Sequence, residues 1–247
     1  MLRLSLILPT YQETDLEPSL ERLSAAAMAI PDTRTEILIV DDSDEALRER
    51  ISAWSAAWSQ REGHPTVRVL EGPHRGKGAA VRVGALASTG DVVFVMDADL
   101  PIPLEHIQDF LGRMQATRAD IVMGERPLGR NTGNPLRFVL SRGLFAFQYL
   151  VVFQASLFHD TQCGFKAFRG DALRRMAARQ IVDGGMYDIE YLYMAVRMGL
   201  RIERVPVIPN AETRPSKINV KRAMVQDPQE LVRVKWKGIR GGYTRGE

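Results

Sequence analysis

Two aspartates two positions apart, Asp97 and Asp99, follow directly on an apolar run. Residues 92–96 read Val-Val-Phe-Val-Met, and Ala98 separates the two carboxylates. Short Val-rich runs are typical of buried parallel strands, and ligands bind beyond the carboxyl ends of such strands. Carboxylates suit Mg²⁺ and Mn²⁺, which take further oxygen ligands from substrate phosphates. The pair therefore predicts a divalent cation site, although the same pair in isolation could be two solvated loop carboxylates.

A glycine-rich loop, Arg75-Gly76-Lys77-Gly78, precedes a predicted helix. Its backbone N–H groups and its two cationic side chains suit an anion such as phosphate. The spacing matches neither the P-loop nor the dinucleotide-binding fingerprint, so neither site is indicated. Taken alone, the loop could also be an exposed basic turn.

Two more acidic residues, Asp41 and Asp42, close another apolar run. Acidic side chains at such strand ends accept hydrogen bonds from the ribose in nucleotide-binding folds, which predicts contact with a base or a ribose. The following Ser43 and Asp44 suit the N-cap of a helix, and a capping cluster is the alternative interpretation. Both can hold at once.

Three arginines, Arg126, Arg137 and Arg142, flank a polar loop and an apolar stretch at 138–158. Guanidinium groups bind phosphate oxygens well, so these residues are candidates for a second phosphate. Arg142 is the most informative, because a cation within an apolar stretch is costly without a partner. The alternative is a side chain that extends along the apolar surface to reach water.

The elements that must position these residues alternate along the chain. Through residue 124 the order is strand, loop, helix, which predicts an α/β fold with a mainly parallel sheet and helices on both faces. The predicted strands are 4–8, 35–40, 67–70, 92–99, 120–124, a strand within 160–168, and 201–207. The predicted helices are 16–30, 46–60, 79–88, 104–117, 136–158, 171–178 and 186–198.

Composition sets broad limits on function. The chain has 247 residues, a net charge of +3 and a single cysteine, Cys163. The charge is too small to indicate nucleic acid binding but suits anionic ligands or an anionic membrane surface. One cysteine excludes a disulfide framework and favours a reducing compartment. We expect no signal peptide, because a strand begins at the N-terminus, and we expect 138–158 to be an interfacial rather than a spanning helix.

Together the motifs resemble those of the family 2 glycosyltransferases of the GT-A fold, especially the dolichyl- and polyprenyl-phosphate glucosyltransferase and mannosyltransferase branch. The likeness spans nearly the whole chain. Its most specific segment is 160–166, Asp-Thr-Gln-Cys-Gly-Phe-Lys. Further matches are 8–13, 40–44, 75–82, 97–99, 141–143, 187–190 and 215–217. Two departures, Glu125 in place of a serine and Pro209-Asn210 in place of a tryptophan, concern the acceptor pocket.

The resemblance implies an inverting, metal-dependent transfer of a hexose from a nucleotide-diphosphate sugar to a polyprenyl or dolichyl phosphate. UDP-glucose is favoured and GDP-mannose is the alternative donor, with Mg²⁺ or Mn²⁺ on Asp97 and Asp99. The residues expected to bind the donor are Pro9, Tyr11, Glu13, Asp41, Asp42, Arg75, Lys77, Asp97, Ala98, Asp99 and Lys217. Those expected to bind the acceptor are Arg126, Arg137, Ser141, Arg142, Asp160 and Gln162. The expected catalytic residues are Asp97, Asp99, Arg126, Arg142 and Asp188.

We expect one domain of Rossmann-like GT-A fold over 1–247. It would comprise a donor half (1–124), an acceptor half (125–213) and a basic C-terminal segment (214–247). The apolar helix and the basic segment predict a cytoplasmic protein with peripheral contact to an anionic membrane.

Three alternatives remain at this stage. The first is a soluble glycosyltransferase that uses a hydroxyl acceptor, which would need a general base, with Asp160, Asp188 and Glu190 as candidates. The second is a HAD-type phosphohydrolase, which also places two aspartates after an apolar strand. The third is a non-catalytic sensor of nucleotide sugars.

Overall fold

The computed structural model describes residues 1–13, 16–61, 63–127, 158–210 and 220–244, with only the backbone described at 220–225. Residues 136–157 of the predicted apolar helix (136–158) lie outside the described residues. Within them, no helix is long and apolar enough to cross a membrane.

Seven strands form a single sheet in the order β3-β2-β1-β4-β6-β5-β7. The strands are β1 (Leu2–Thr10), β2 (Thr33–Asp41), β3 (Thr66–Glu71), β4 (Val92–Met96), β5 (Ile121–Glu125), β6 (Phe165–Arg169) and β7 (Ile202–Pro206). β6 lies antiparallel between β4 and β5, and the other strand pairings among the described residues are parallel. The prediction of a mainly parallel α/β sheet is confirmed.

The described helices cover both faces of this sheet. They are α1 (Glu17–Met28), α2 (Glu45–Ser59), α3 (Lys77–Ala87), α4 (His106–Thr117), α5 (Gly170–Ala177), α6 (Tyr187–Arg197) and α7 (Val220–Ile239). The sequence did not predict α7. Its turns are rich in Lys, Arg and Gln and contain Pro228, so the segment resembles a basic tail in composition, and the proline argues against a helix.

Alternation along the strands divides the core into two layers. On β4, Phe94 and Met96 pack with α1, α2 and α4, whereas Val93 and Val95 pack with α3, α5 and α6. Because β4 is buried on both faces, it reads as a continuous apolar run. This burial fixes the position at which the strand must stop and its carboxylates begin.

The strand ends bring the predicted site residues to one edge of the sheet. β1, β2, β4 and β5 run parallel and so end on the same side. β6 runs the opposite way and therefore begins at that side, with Phe165 paired to Met96. The segment 160–164 thus arrives beside the end of β4.

Candidate active site

The two aspartates lie in a turn that closes β4. The N–H of Leu100 donates to the carbonyl of Asp97 at 3.0 Å, and Leu100 adopts a positive φ of 45°. Ala98 and Leu100 are buried, whereas Asp97 is half-buried and Asp99 is exposed. Burial of the alternate residues thus leaves both carboxylates at the open edge of the sheet.

Gly164 makes room for the carboxylate of Asp97. The backbone N–H of Asp97 donates to the carbonyl of Gly164 at 3.2 Å. A Cβ on Gly164 would lie 1.9 Å from Oδ2 of Asp97. No other residue could therefore stand at 164 without moving this carboxylate, which explains the glycine in the most specific motif of the sequence.

The glycine-rich loop supplies a cation to the same carboxylate. Gly76, at a φ of 123°, precedes α3, and Lys77 is the first residue of that helix. The ammonium group of Lys77 forms an ion pair with Oδ1 of Asp97. Burial lowers the pKa of Lys77, but the carboxylates of Asp97 and Asp188 outweigh that effect, so the pKa is raised and the side chain stays charged.

A loop between α5 and α6 supports the glycine-rich loop from behind. The carbonyl of Asp183 accepts from the N–H of Ala79 at 3.1 Å, and its carboxylate forms an ion pair with Arg75 at 2.7 Å. Gln180 donates to the carbonyl of Gly78 at 2.8 Å. A Cβ on Gly78 would lie 2.7 Å from atoms of this loop, so the two backbones are in close contact.

Asp41 and Asp42 have different surroundings. Asp41 is fully buried and accepts hydrogen bonds from the hydroxyls of Thr10 at 2.7 Å and Ser43 at 2.9 Å. Oδ1 of Asp42 accepts from the N–H of His74 at 2.9 Å. Asp41 therefore joins β1 to β2, while Asp42 holds the start of the glycine-rich loop. The predicted helix cap is confirmed at Asp44, which accepts from the first turn of α2.

Arg126 and Asp160 form a bidentate ion pair. Nε of Arg126 donates to Oδ2 of Asp160 at 2.6 Å, and one terminal nitrogen donates to Oδ1 at 2.9 Å. This pairing raises the pKa of Arg126. Burial raises the pKa of Asp160, but hydrogen bonds from Arg126 outweigh burial and hold the pKa below its ordinary value. Both groups thus stay charged.

Lys166 and Asp188 form a second pair, inside the protein. The ammonium group of Lys166 lies 2.7 Å from Oδ1 of Asp188 and donates to the carbonyl of Cys163 at 2.6 Å. Both residues are buried. This pair ties the start of β6 to the first turn of α6, so Asp188, predicted to be catalytic, is engaged by a buried lysine.

Glu190, which together with Asp160 and Asp188 is a candidate general base, is fully buried. It accepts from the backbone N–H groups of Ile181 and Val182, each at 2.8 Å, and from the hydroxyl of Tyr243 at 2.5 Å. Burial raises the pKa of Glu190, and these three hydrogen bonds oppose the rise. Glu190 thereby links the segment after α7 to the loop that supports the glycine-rich loop.

Of the other predicted site residues, some are described at this edge of the sheet and the rest lie outside the described residues. Tyr11 is 62% exposed at the end of β1, and Gln162 donates its backbone N–H to Asp160 at 3.3 Å. The structure also places Pro9 and Glu13 at this edge, both half-buried. The remaining predicted residues, Arg137, Ser141, Arg142 and Lys217, lie outside the described residues.

A family comparison explains why these residues occur together. The model of the family described as Glycosyl transferase family 2 matches residues 5–177. This chain belongs to glycosyl transferase family 2. The enzyme is therefore a glycosyltransferase, and the family membership excludes the phosphohydrolase alternative.

The glycosyltransferase also resembles individual curated proteins. It is 28% identical over 242 residues to a dolichyl-phosphate beta-glucosyltransferase of Trichomonas vaginalis, an alignment that covers 94% of this chain and 72% of the relative. It is 30% identical over 222 residues to the dolichyl-phosphate beta-glucosyltransferase of Drosophila melanogaster. This alignment covers 83% of this chain and 66% of the relative.

Solved structures show the same fold at lower identity. Glucosyl-3-phosphoglycerate synthase from Mycobacterium tuberculosis in complex with phosphoglyceric acid aligns with a TM-score of 0.67 and 17% identity, over 95% of this chain and 80% of that one. A complex of that synthase with Mn²⁺, uridine-diphosphate-glucose and glycerol 3-phosphate aligns with a TM-score of 0.55 and 16% identity. The alignment covers 98% of this chain and 80% of the synthase chain. These similarities confirm the GT-A type of fold.

Sequence reasoning did not assign roles to several residues that build the candidate site. Lys166 is the last residue of the motif at 160–166, and a lysine within an apolar strand is a signal for a buried ion pair. Gly164 offered no signal beyond the motif itself. Gln180 and Asp183 act through contacts with backbone atoms of a distant loop, which no local pattern records.

Proposed function

We propose that this glycosyltransferase moves glucose from a nucleotide-diphosphate sugar, UDP-glucose in the first instance, to a dolichyl or other polyprenyl phosphate. The names of the curated relatives support the sugar and the lipid acceptor. The solved neighbour with uridine-diphosphate-glucose supports the donor class. Because such an acceptor is held in a bilayer, the enzyme would act at a membrane surface, for which we propose the cytoplasmic side.

The observation that carries the donor side is the convergence of Lys77, Asp97 and Gly164. A cation, a carboxylate and a glycine that leaves room for this carboxylate meet at the end of β4. Asp97 and Asp99 offer oxygen ligands that suit Mg²⁺ or Mn²⁺. Such a metal, when bound, would offset the negative charge that develops on the leaving diphosphate. Lys77 and Arg75 would add fixed positive charge around the same phosphates.

The contacts of the acidic residues favour a phosphate acceptor over a hydroxyl. A hydroxyl acceptor would need a general base. The candidates Asp160, Asp188 and Glu190 are engaged by Arg126, by Lys166, and by two backbone amides with Tyr243, respectively. A phosphomonoester has a second pKa of about 6 and is largely a dianion at neutral pH, so its oxygen can attack without a general base.

Arg126 is the described residue best suited to orient that phosphate. Its guanidinium uses two nitrogens on Asp160, and the Arg126 side chain is 44% exposed, which leaves donor capacity toward solvent. Asp160 fixes the plane of the guanidinium before an acceptor arrives. Arg137, Ser141 and Arg142 stay proposed partners in this task.

The proposal can be tested with acceptors that differ in one property at a time. The protein would be incubated with Mg²⁺ and UDP-glucose, and with GDP-mannose in parallel, while nucleotide release is followed. The acceptors are dolichyl phosphate, dolichol without phosphate, and 3-phosphoglycerate as a soluble phosphate. We expect release with UDP-glucose and dolichyl phosphate only. Transfer to 3-phosphoglycerate or to dolichol at an equal rate would overturn the acceptor assignment.

The role of Asp97 is tested by Asp97→Asn. We expect a loss of transfer of about 100-fold or more, because charge stabilisation at the reacting phosphates is removed, with the fold retained. Asp91→Asn is a matched control, since Asp91 lies at the opposite end of β4 and pairs with Arg3 on the surface. Equal activity of Asp97→Asn and wild type would exclude the proposed metal site.

A further inference from the structure

The outer face of α7 carries a row of exposed apolar side chains. Val232, Trp236 and Ile239 are 51%, 56% and 61% exposed. Their spacing of four and three residues places them on one side of the helix. Scattered exposed apolar residues need no explanation, but a contiguous row on one helix face indicates a surface that binds something.

The opposite face of α7 accounts for the attachment of the helix to the protein. Leu231 and Val234 on this face, and Tyr243 just after the helix, are fully buried in the core layer formed with α6. A Cβ on Gly238 would lie 2.3 Å from the ring of Tyr193. The helix is therefore held by its inner face, and the outer row is not needed for its packing.

The charged residues around the apolar row indicate what kind of surface it would bind. Residues 231–244 contain Arg233, Lys235, Lys237 and Arg240 and no acidic residue. Arg233 and Arg240 are exposed beside the apolar row. The guanidinium of Arg240 lies 4.4 Å from the ring centre of Trp236, so an aromatic ring and a cation share one position on the surface. A protein partner of mixed charge would not require this bias.

We propose that this outer face of α7 docks on an anionic lipid bilayer. Tryptophan prefers the interface between headgroups and acyl chains, and Val232 and Ile239 would enter the same shallow layer. Arg233 and Arg240 would meet the anionic headgroups. The residues of this surface differ from those of the apolar stretch predicted at 138–158. Its test requires no sugar transfer, so it can fail independently of the proposed function.

The experiment is co-sedimentation of the full chain with vesicles of phosphatidylcholine alone or with one third phosphatidylserine. We expect binding to the anionic vesicles to exceed binding to the neutral ones, and to weaken as salt is raised. Trp236→Ser/Ile239→Ser and Arg233→Gln/Arg240→Gln should each lower the apparent affinity by about tenfold or more, because each removes one of the two contributions.

Matched controls separate this surface from general effects. Met28→Ser/Leu86→Ser removes two exposed apolar side chains elsewhere, and Arg22→Gln/Arg113→Gln removes two exposed charges on α1 and α4. Both controls should bind as wild type, and circular dichroism should show that every variant is folded. Unchanged binding of the two α7 variants would overturn the proposal. So would concentration-dependent dimers that the Trp236 variant abolishes, because the face would then bind a second copy.

Discussion

The carboxylate of Asp97 occupies the space that a side chain at position 164 would need. Its two oxygens face different neighbours, since Oδ1 is paired with Lys77 and Oδ2 lies over Gly164. The position of this functional group therefore depends on one residue that supplies a charge and on one that supplies no side chain. Both dependencies lie at single residues and can be tested separately.

Gly164→Ala should abolish most transfer while leaving the protein stable. The new Cβ would lie 1.9 Å from Oδ2 of Asp97, and the end of an aspartate side chain can swing away at little cost in folding free energy. That movement would break the ion pair with Lys77 and displace the proposed metal ligand. The measurements are the transfer rate and the midpoint of urea unfolding.

Gly185→Ala serves as the control for this substitution. Gly185 lies in the loop before α6, and a Cβ there would meet nothing within 4 Å. It should keep both activity and stability. An active Gly164→Ala protein would show that the position of the Asp97 carboxylate is not critical.

The types of these residues could be predicted from the sequence, but their contacts could not. Two carboxylates after an apolar run indicate a cation site wherever they occur. That Lys77 and Gly164 meet Asp97 depends on α3 and β6 reaching the end of β4, and those approaches are set by the sheet order. No local spacing encodes them.

At the scale of elements, the loop between α5 and α6 supports the glycine-rich loop. Its backbone is fixed by Glu190 at Ile181 and Val182, and Glu190 is in turn fixed by Tyr243. Asp183, the next residue, contacts both Arg75 and Ala79. A chain of contacts thus runs from the residues after α7 to the glycine-rich loop.

Tyr243→Phe should weaken this chain without disturbing the shape of the core. Loss of a buried hydrogen bond to a carboxylate costs about 2 kcal/mol of unfolding free energy. The KM for the nucleotide sugar should rise more than kcat falls, because the supported loop is proposed to bind the donor. Initial rates at varied donor concentration would show the difference, and an unchanged KM would contradict the link.

The stability loss in Tyr243→Phe should also depend on pH. Burial raises the folded-state pKa of Glu190 above 4.5, so its contribution to stability is present below that value and declines as pH rises through the folded pKa. The Tyr243 hydroxyl lowers that pKa, and its removal raises the pKa further. Urea unfolding should therefore show a larger difference between variant and wild type at pH 8 than at pH 5. An equal difference at both would argue against the hydrogen bond.

The elements themselves were more accessible to sequence reasoning than their supports. The strands stand out because burial on both faces demands apolar runs, as in β4. α7 was missed because only its inner face is buried and its outer face mixes apolar and basic residues. A pattern of that kind resembles a basic tail until the packing partner, α6, is known.

At the scale of the whole molecule, the segments proposed to bind the donor and the acceptor contribute strands to one sheet. β6 belongs to the sequence after residue 125, yet it lies between β4 and β5. The alternation of strands and helices predicted an α/β sheet, but it did not predict that insertion. The periodicity of apolar residues indicates which faces are buried, but it does not indicate the order of the strands in the sheet.

A fragment of residues 1–127 tests this arrangement. β5 pairs only with β6 and β7 in the described sheet, so in the fragment its amides have no partners. Hydrogen exchange should be fast at residues 121–125 in the fragment and slow in the full chain. Slow exchange at β5 in the fragment would mean that it pairs with another strand.

The insertion of β6 also sets the order in which the protein can be assembled as it leaves the ribosome. β1 to β4 can pair with one another as soon as they emerge, but the open side of β4 must wait until β6 (Phe165–Arg169) has been made. During that interval an apolar strand edge is exposed, and such edges promote aggregation. The nascent chain should therefore need most protection by chaperones after β4 is complete and before β6 arrives.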